Sequence, residues 1–400
     1  MHNLTATASL TSTSRIQSID LLRGLIMIIM ALDHTRDFFH HSAFTEDPLN
    51  PATTTPALYF TRWITHFCAP VFVFLSGASA WLQSRKKTKK ELSIFLIKRG
   101  FWLILLEVTL ITFVFSFDIH FNQIALTVIW AIGISMIILG LLVWLPLPAI
   151  FITGLLIVAG HNGLDFYEAA NMNSLTAWYH LLHRPNLFDI GNNFHVFVFY
   201  PFLPWTGLML MGYCFGKLLF SKTGTQQKKM LIWLGWAIIL LFIGLRLIDV
   251  YGDPDVLTST DKPLDSVYSF LDTNKYPPSL LYMCMTIGPS LLFMALFQNA
   301  GGRIAKIISV YGRVPFFYYI LHFLLIHIVC MSLFLARGHS VAEGLNNQVM
   351  LPNFIKPGEG YSLWIVYLLW ISFVVVLYPL CKWYDHYKQS HKEKWWLSYL

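Results

Sequence analysis

The chain has 400 residues, of which 56% are hydrophobic and 12% charged, with a mean hydropathy of +0.57; no ordinary soluble domain of this size carries that balance. The sequence therefore reads as an all-α polytopic membrane protein. A formal charge of +7 would suit nucleic acid in a soluble protein, but here it reads as the loop bias that orients a membrane chain, and no nucleic-acid partner is expected.

Residues 1–14, MHNLTATASLTSTS, are polar and carry no Asp, Glu, Lys or Arg. No small-residue cleavage site follows the first apolar run, so no removable signal peptide is expected and the first helix serves as its own insertion signal. That helix, QSIDLLRGLIMIIMALDHTRDFFHH (17–41), is the most informative stretch. Asp20 and Arg23 sit at one end, a clean apolar run from Leu25 to Leu32 follows, and Asp33, His34, Arg36, Asp37, His40 and His41 crowd the other. Charge at membrane depth is costly, and residues that bear it usually face a protein interior and carry function. Asp33, Arg36, Asp37 and His40 or His41 recur at three- and four-residue steps, and His34, Asp37 and His41 form an overlapping set. Such a stripe supplies a base, a carboxylate to orient it and a guanidinium to hold an anion. It equally suits an ion-pair knot, Asp33 with Arg36 and Asp37 with Arg62. Asp20 and Arg23 are one turn apart, Gly24 permits close approach of a backbone or a ligand, and Arg23 lies roughly 15 Å from Asp33 along the axis. Arg23 also suits a side chain snorkelling to inner headgroups.

The next helix, ALYFTRWITHFCAPVFVFLSGASAWL, carries Arg62 and His66 one turn apart, Pro70 as an expected kink, and the small run Ser76 to Ser79. Taking about 20 apolar residues per span, helices are predicted near 18–39, 58–83, 93–117, 122–144, 146–160, 198–220, 229–250, 278–299, 313–335 and 361–382. That makes about ten (9–11) transmembrane helices in one bundle, the fifth short, with SLTAWYHLLH (174–183) as an interfacial or re-entrant addition. With both termini cytoplasmic, the inner segments hold 20 of the 28 Lys and Arg, an asymmetry that orients the chain. The tail KWYDHYKQSHKEKWW mixes basic and aromatic residues, as a segment lying on headgroups does.

The long outer loops hold most histidines, among them His161 in GHNGLD (160–165) and His195 at the entry of FHVFVFYPFLPWTGLMLMGYCFG (194–216). Trp205 and Tyr200 read as interface anchors, and GHNGLD and KYPPS (275–279) read first as turns. GRVPFFYYILH puts His322 inside a helix. The cysteines Cys68, Cys214, Cys284, Cys330 and Cys381 lack CxxC spacing, so neither a disulfide nor a cysteine metal site is predicted, and no metal is expected. No Walker, GxSxG, HExxH or dinucleotide motif stands in a fitting context.

Together SIDLLRGLIMIIMALDHTRDFF, PVFVFLSGASAWL, YPFLPWTGLMLMGYCFG and GRVPFFYYILH resemble the heparan-alpha-glucosaminide N-acetyltransferase catalytic-domain family of polytopic acyltransferases, over about residues 15–385. The resemblance implies a membrane acetyltransferase that takes acetyl from cytoplasmic acetyl-coenzyme A and gives it to a sugar amine or hydroxyl, a glycan-type acceptor, on the opposite face. It implies a catalytic histidine just beyond helix 1, matched by His41 with His40 as neighbour, and a polar residue matched by Asp33, where the animal enzyme has asparagine. On this reading Asp20, Arg23 and Gly24 hold the coenzyme end. His41, His40 or His34 is the base, Asp33 or Asp37 orients it and Arg36 stabilises the oxyanion, with Arg62, His66, His161, His195, Trp205 and His322 as secondary candidates. The expected organisation is a cytoplasmic tail (1–16), a transmembrane acyltransferase-like domain (17–385) and a basic, aromatic cytoplasmic tail (386–400). The location is a multi-pass integral membrane one, the plasma or inner membrane in a bacterium, and a homodimer is left open. The rival readings are a proton-coupled small-solute transporter, against which the chain shows no internal repeat, and a non-catalytic scaffold of the same fold.

Overall fold

The computed structural model describes residues 17–191, 193–258, 262–345, 352–394 and 397. The tail assigned to 1–16 lies outside the described residues, as does most of the chain beyond 394. In chain order the helices are α1 (Gln17–Phe39), α2 (Pro56–Thr65), α3 (Cys68–Ser84) and α4 (Lys89–Leu106), which passes through a π-helical turn (Glu107–Ile111) into α5 (Thr112–Ser116). Strand β1 (Gln123–Leu126) precedes α6 (Val128–Leu142), α7 (Leu147–Gly160), α8 (Gly163–Asn171) and the short α9 (Ala177–Leu182). Strands β2 (Asn186–Gly191) and β3 (Phe194–Val198) lead into α10 (Phe202–Phe220) and α11 (Gly224–Ile248). Then come α12 (Pro263–Leu271), α13 (Leu280–Leu296), α14 (Arg303–Arg313), α15 (Pro315–Ala336), α16 (Val341–Leu345) and α17 (Leu363–Ser390).

The fold is that of a helical membrane protein, and a helix occupies each of the ten predicted stretches. By length and composition, however, four are apolar and long enough to cross a membrane: Pro56–Ser84, Gly224–Ile248, Pro315–Ala336 and Leu363–Ser390. The pair Leu147–Gly160 and Gly163–Asn171, bent by 47°, makes a fifth if it is one span. Others are short, such as α6 and α13, and α1 is interrupted by its own charges. The last helix runs past Asp385 to Ser390, into the segment read as a tail.

Two departures from the predicted helices have local causes. The stretches 122–144 and 198–220 each border a strand, because QIAL and FHVFV pair in a three-stranded sheet ordered β1-β3-β2, with β1 parallel and β2 antiparallel to β3. The helix predicted over 58–83 breaks between Thr65 and Cys68. Pro70 has no N–H to give the carbonyl four residues back, which is that of His66, and the Tyr282 hydroxyl donates to that carbonyl instead at 2.8 Å.

Close packing fixes α1. A Cβ on Gly24 would fall 1.9 Å from the Ile308 carbonyl oxygen, and one on Gly312 would fall 1.9 Å from that of Asp20. Gly24 therefore serves backbone contact between α1 and α14. Similar contacts at Gly77 and Gly212 join α3 to α10. The core is built from these buried apolar faces and leaves the C-terminal half of α1 beside a cavity.

Candidate functional site

The cavity has a volume of about 620 Å³ and is lined along α1 from Met27 to Asp37, a rise of roughly 15 Å. Its loop end carries Glu46, Asp47, Asp255 and Asp272, and its far end Ser76, Arg99, Leu103 and Met136. Between them lie Asp33, His34, Arg62, His66, Lys275 and Tyr276.

Asp33 is the hub of this middle section. Arg62 Nη1 donates to both of its carboxylate oxygens at 2.9 Å, and Arg36 Nη2 lies 2.9 Å from Oδ1. The same Nη2 reaches Asp37 Oδ1 at 2.5 Å. The ion-pair knot expected from the sequence is thus present with a changed partner: Arg62, brought in by the α2 break, meets Asp33 rather than Asp37. Arg36 Nη1 and His66 Nδ1 are buried without a hydrogen-bond partner.

His34 and His322 form a chain with a defined direction. The carbonyl of Tyr318 only accepts, so His322 Nδ1, 2.8 Å away, donates to it. With a neutral ring, His322 Nε2 then accepts from His34 Nδ1 at 2.7 Å. A neutral His34 is left with its lone pair on Nε2, on a side chain that lines the cavity. His322 is fully buried behind His34, and its backing ring is Tyr318, stacked at 5.1 Å.

Other candidates lie elsewhere. His40 and His41 do not line this cavity. His40 packs against Ser42, its Nδ1 3.0 Å from the hydroxyl, and burial, with His41 and Arg36 beside it, pushes its imidazole down to about 4. His41 is exposed, where Tyr361 pairs with the chain just past α1. Asp20, Arg23 and Gly24 are also off the cavity: Arg23 donates to Ser79 Oγ at 3.0 Å and to the Gly312 carbonyl at 3.4 Å, with Asp20 3.9 Å away. His195 sits on β3, 3.9 Å from Asp189. Trp205 is fully buried against Tyr200 rather than anchored at an interface; its ring fills the bundle interior because Pro201 starts α10 within the core. His161 bonds His183 at 3.1 Å, and His183 bonds Glu168 at 2.5 Å. Asp165, Glu168 and His183 bring ligand atoms within 4.8 Å of one another, but Glu168 already holds His183 and Arg184.

The sequence reading passed over Lys275 and Tyr276, taken as turn residues in KYPPS, and Asp272. Asp272 follows α12, and burial, reinforced by Asp255, Asp47 and Asp253, pushes its carboxyl up to about 6. No sequence signal singles out Lys275, which shares its acidic stretch with Lys262.

Charged side chains buried at helix depth around a largely apolar cavity define a helical membrane protein with an internal site. Residues 15–251, more than half of the chain, match the family model described as heparan-alpha-glucosaminide N-acetyltransferase, catalytic, and the chain belongs to that family of membrane acyltransferases. A search of the curated proteins gave no match. The family match ends before the loop bearing Lys275 and before α15, so both lie outside it.

Proposed function

We propose that this protein is an integral membrane acetyltransferase that moves acetyl from acetyl-coenzyme A to an amine or hydroxyl of a sugar-type acceptor, with His34 as general base. The observation that carries this reading is the Tyr318–His322–His34 chain, which orients His34 with Nε2 free at the cavity. The acceptor N–H or O–H gives its proton to His34 Nε2 as its heteroatom bonds the thioester carbon. Arg36, through its unpartnered Nη1, meets the oxyanion that forms. Collapse breaks the carbon–sulfur bond, and the proton on His34 passes to the departing thiolate. Asp33, held by Arg62 and Arg36, fixes the helix end on which His34 stands. The apolar far end of the cavity, with Leu103, Ile132 and Met136, suits the pantetheine arm. In this reading about ten helices span the bilayer, both termini are cytoplasmic, and the cavity carries the transfer between the two faces. A proton-coupled carrier would need Asp33 or Asp37 to load and release protons, yet both are engaged by guanidinium groups.

The test is acetyl-coenzyme A turnover by the purified full chain with glucosamine and glucosamine 6-phosphate each offered as acceptor. His34→Ala is expected to lose about 10²–10⁴-fold in kcat and His322→Ala about tenfold, since it only orients the base, while His41→Ala stays near the parent rate. Full activity in His34→Ala, or its loss in His41→Ala alone, sinks the assignment.

A further inference from the structure

Lys275 lines this cavity without an ion-pair partner among the described residues. The residue is only 9% exposed, although it lies in the connection between α12 and α13. Both flanks of that connection are pinned. Arg246, 1% exposed at the end of α11, donates to the carbonyls of Asp255, Ser269, Phe270 and Asp272. Asp253 accepts from the Asn274 amide at 3.0 Å and the Ser279 hydroxyl at 2.5 Å. The lysine is thus placed in the cavity wall by a buried arginine and a half-buried aspartate, which is more apparatus than a surface turn requires.

It lines the same cavity as Asp33, His34, His66 and Cys68. Among the described residues no carboxylate lies within ion-pair distance of it; the ammonium sits 5.1 Å from the Tyr276 ring centre. The two nearby acids are already engaged, Asp33 by Arg62 and Arg36, and Asp37 by Arg36. Around His34 the wall thus sets Arg36, Arg62 and Lys275 against Asp33 and Asp37, the other carboxylates of the lining lying at its loop end, and Arg36 Nη1 lacks an acceptor. A buried ammonium without a counter-charge destabilises the empty site and is relieved by an anion that enters it.

We propose that Lys275 binds a fixed oxyanion group of the acceptor, a phosphate, sulfate or carboxylate, beside His34. This rests on the reading of the cavity as the acceptor site, and it narrows the acceptor to an anionic one. The group belongs either to a soluble sugar derivative or to a lipid headgroup, and the chemistry of recognition is the same for both.

The experiment is thermal unfolding of the purified full chain in a neutral detergent, followed by tryptophan fluorescence, with no acetyl-coenzyme A present. Inorganic phosphate, inorganic sulfate, glucosamine 6-phosphate, glucosamine and micellar phosphatidylglycerol are titrated at constant ionic strength, with potassium chloride as control. The expected result is a saturable upward shift with glucosamine 6-phosphate, phosphate or sulfate for a soluble acceptor, or with phosphatidylglycerol for a lipid one, and none with glucosamine or chloride. Lys275→Gln should weaken that binding by about 30-fold or more, Lys275→Arg should keep it, and unliganded Lys275→Gln should melt above the parent. No anion effect beyond chloride in the parent protein, or equal affinity in Lys275→Gln, overturns the proposal. Because the assay involves no acetyl transfer, such a failure leaves the role of His34 standing, and inactivity without failure here leaves the anion site standing.

Discussion

Asp33 holds two guanidinium groups, and that arrangement converts a liability of α1 into a rigid site. A buried pair earns little net stability, but removing one partner leaves a naked charge and typically costs about 3–5 kcal/mol. The carboxyls nearer the loops behave differently. Among the described residues Asp272 has no such ion pair, and burial pushes it up to about 6, with Asp255, Asp47 and Asp253 adding to the effect. Its ordinary value is near 4, so the folded chain holds this proton more tightly than the unfolded chain does. The sign follows from linkage: the contribution is favourable below about pH 4 and is lost as pH rises to about 6. Asp272→Asn is therefore expected to reduce the decline of melting temperature between pH 4 and 6.5. Arg246 binds the Asp272 backbone carbonyl rather than its side chain, so the loop should stay in place. An unchanged slope in the variant would show that Asp272 titrates as it does in the unfolded chain.

Elements carry the next level of specification. The α1–α14 contact is made backbone against backbone, with Gly24 and Gly312 each leaving no room for a methyl group, whereas Gly244 on α11 has open space around its missing Cβ. Gly24→Ala should separate the two helices and lower the melting temperature by several degrees or abolish a monodisperse preparation, as overpacking costs about 1–3 kcal/mol or more. Gly244→Ala should be neutral or stabilise by up to about 1 kcal/mol, since alanine is the better helix former. Equal melting of the two variants would mean that the α1–α14 contact is not as close as drawn. These same elements show what a sequence reveals. Apolar runs announce the helices because composition alone sets them, and charges inside one such run announce the α1 cluster. The break at His66 was visible only as Pro70, because the offset of four residues depends on which carbonyl loses its donor. The strands were hidden because QIAL and FHVFV are as apolar as the helices they adjoin. His34 and His41 could not be ranked from spacing, since the choice turns on His322 arriving from nearly 290 residues away. Lys275 was unreadable for the same reason: only the folded connection brings it to α1.

At the scale of the molecule the open question is direction. The cavity runs from the acidic loop end, with Asp47 and Asp272, to the end marked by Arg99 and Met136. The charges outside the cavity follow the same axis. Lys86 and Lys87 lie between α3 and α4, Lys89 and Lys90 open α4, Lys222 precedes α11 and Lys228 and Lys229 lie in its first turns, while the opposite loops are poorer in Lys and Arg. Positive loops stay cytoplasmic, so the Arg99 end should face the cytoplasm and the Asp272 end should face away. Single cysteines at Lys89 and Ser221 on one side and at Asp265 and Glu343 on the other test this directly. Asp265 borders α12 and Glu343 lies on the exposed side of α16. The native thiols other than the half-buried Cys214 are buried, so background labelling should be low after Cys214→Ala. A membrane-impermeant maleimide added to intact cells is expected to label the Asp265 and Glu343 positions at once and the Lys89 and Ser221 positions only after permeabilisation. The opposite pattern would invert the molecule, and the Lys275 anion site would then recruit its ligand from the same compartment that supplies the acetyl group.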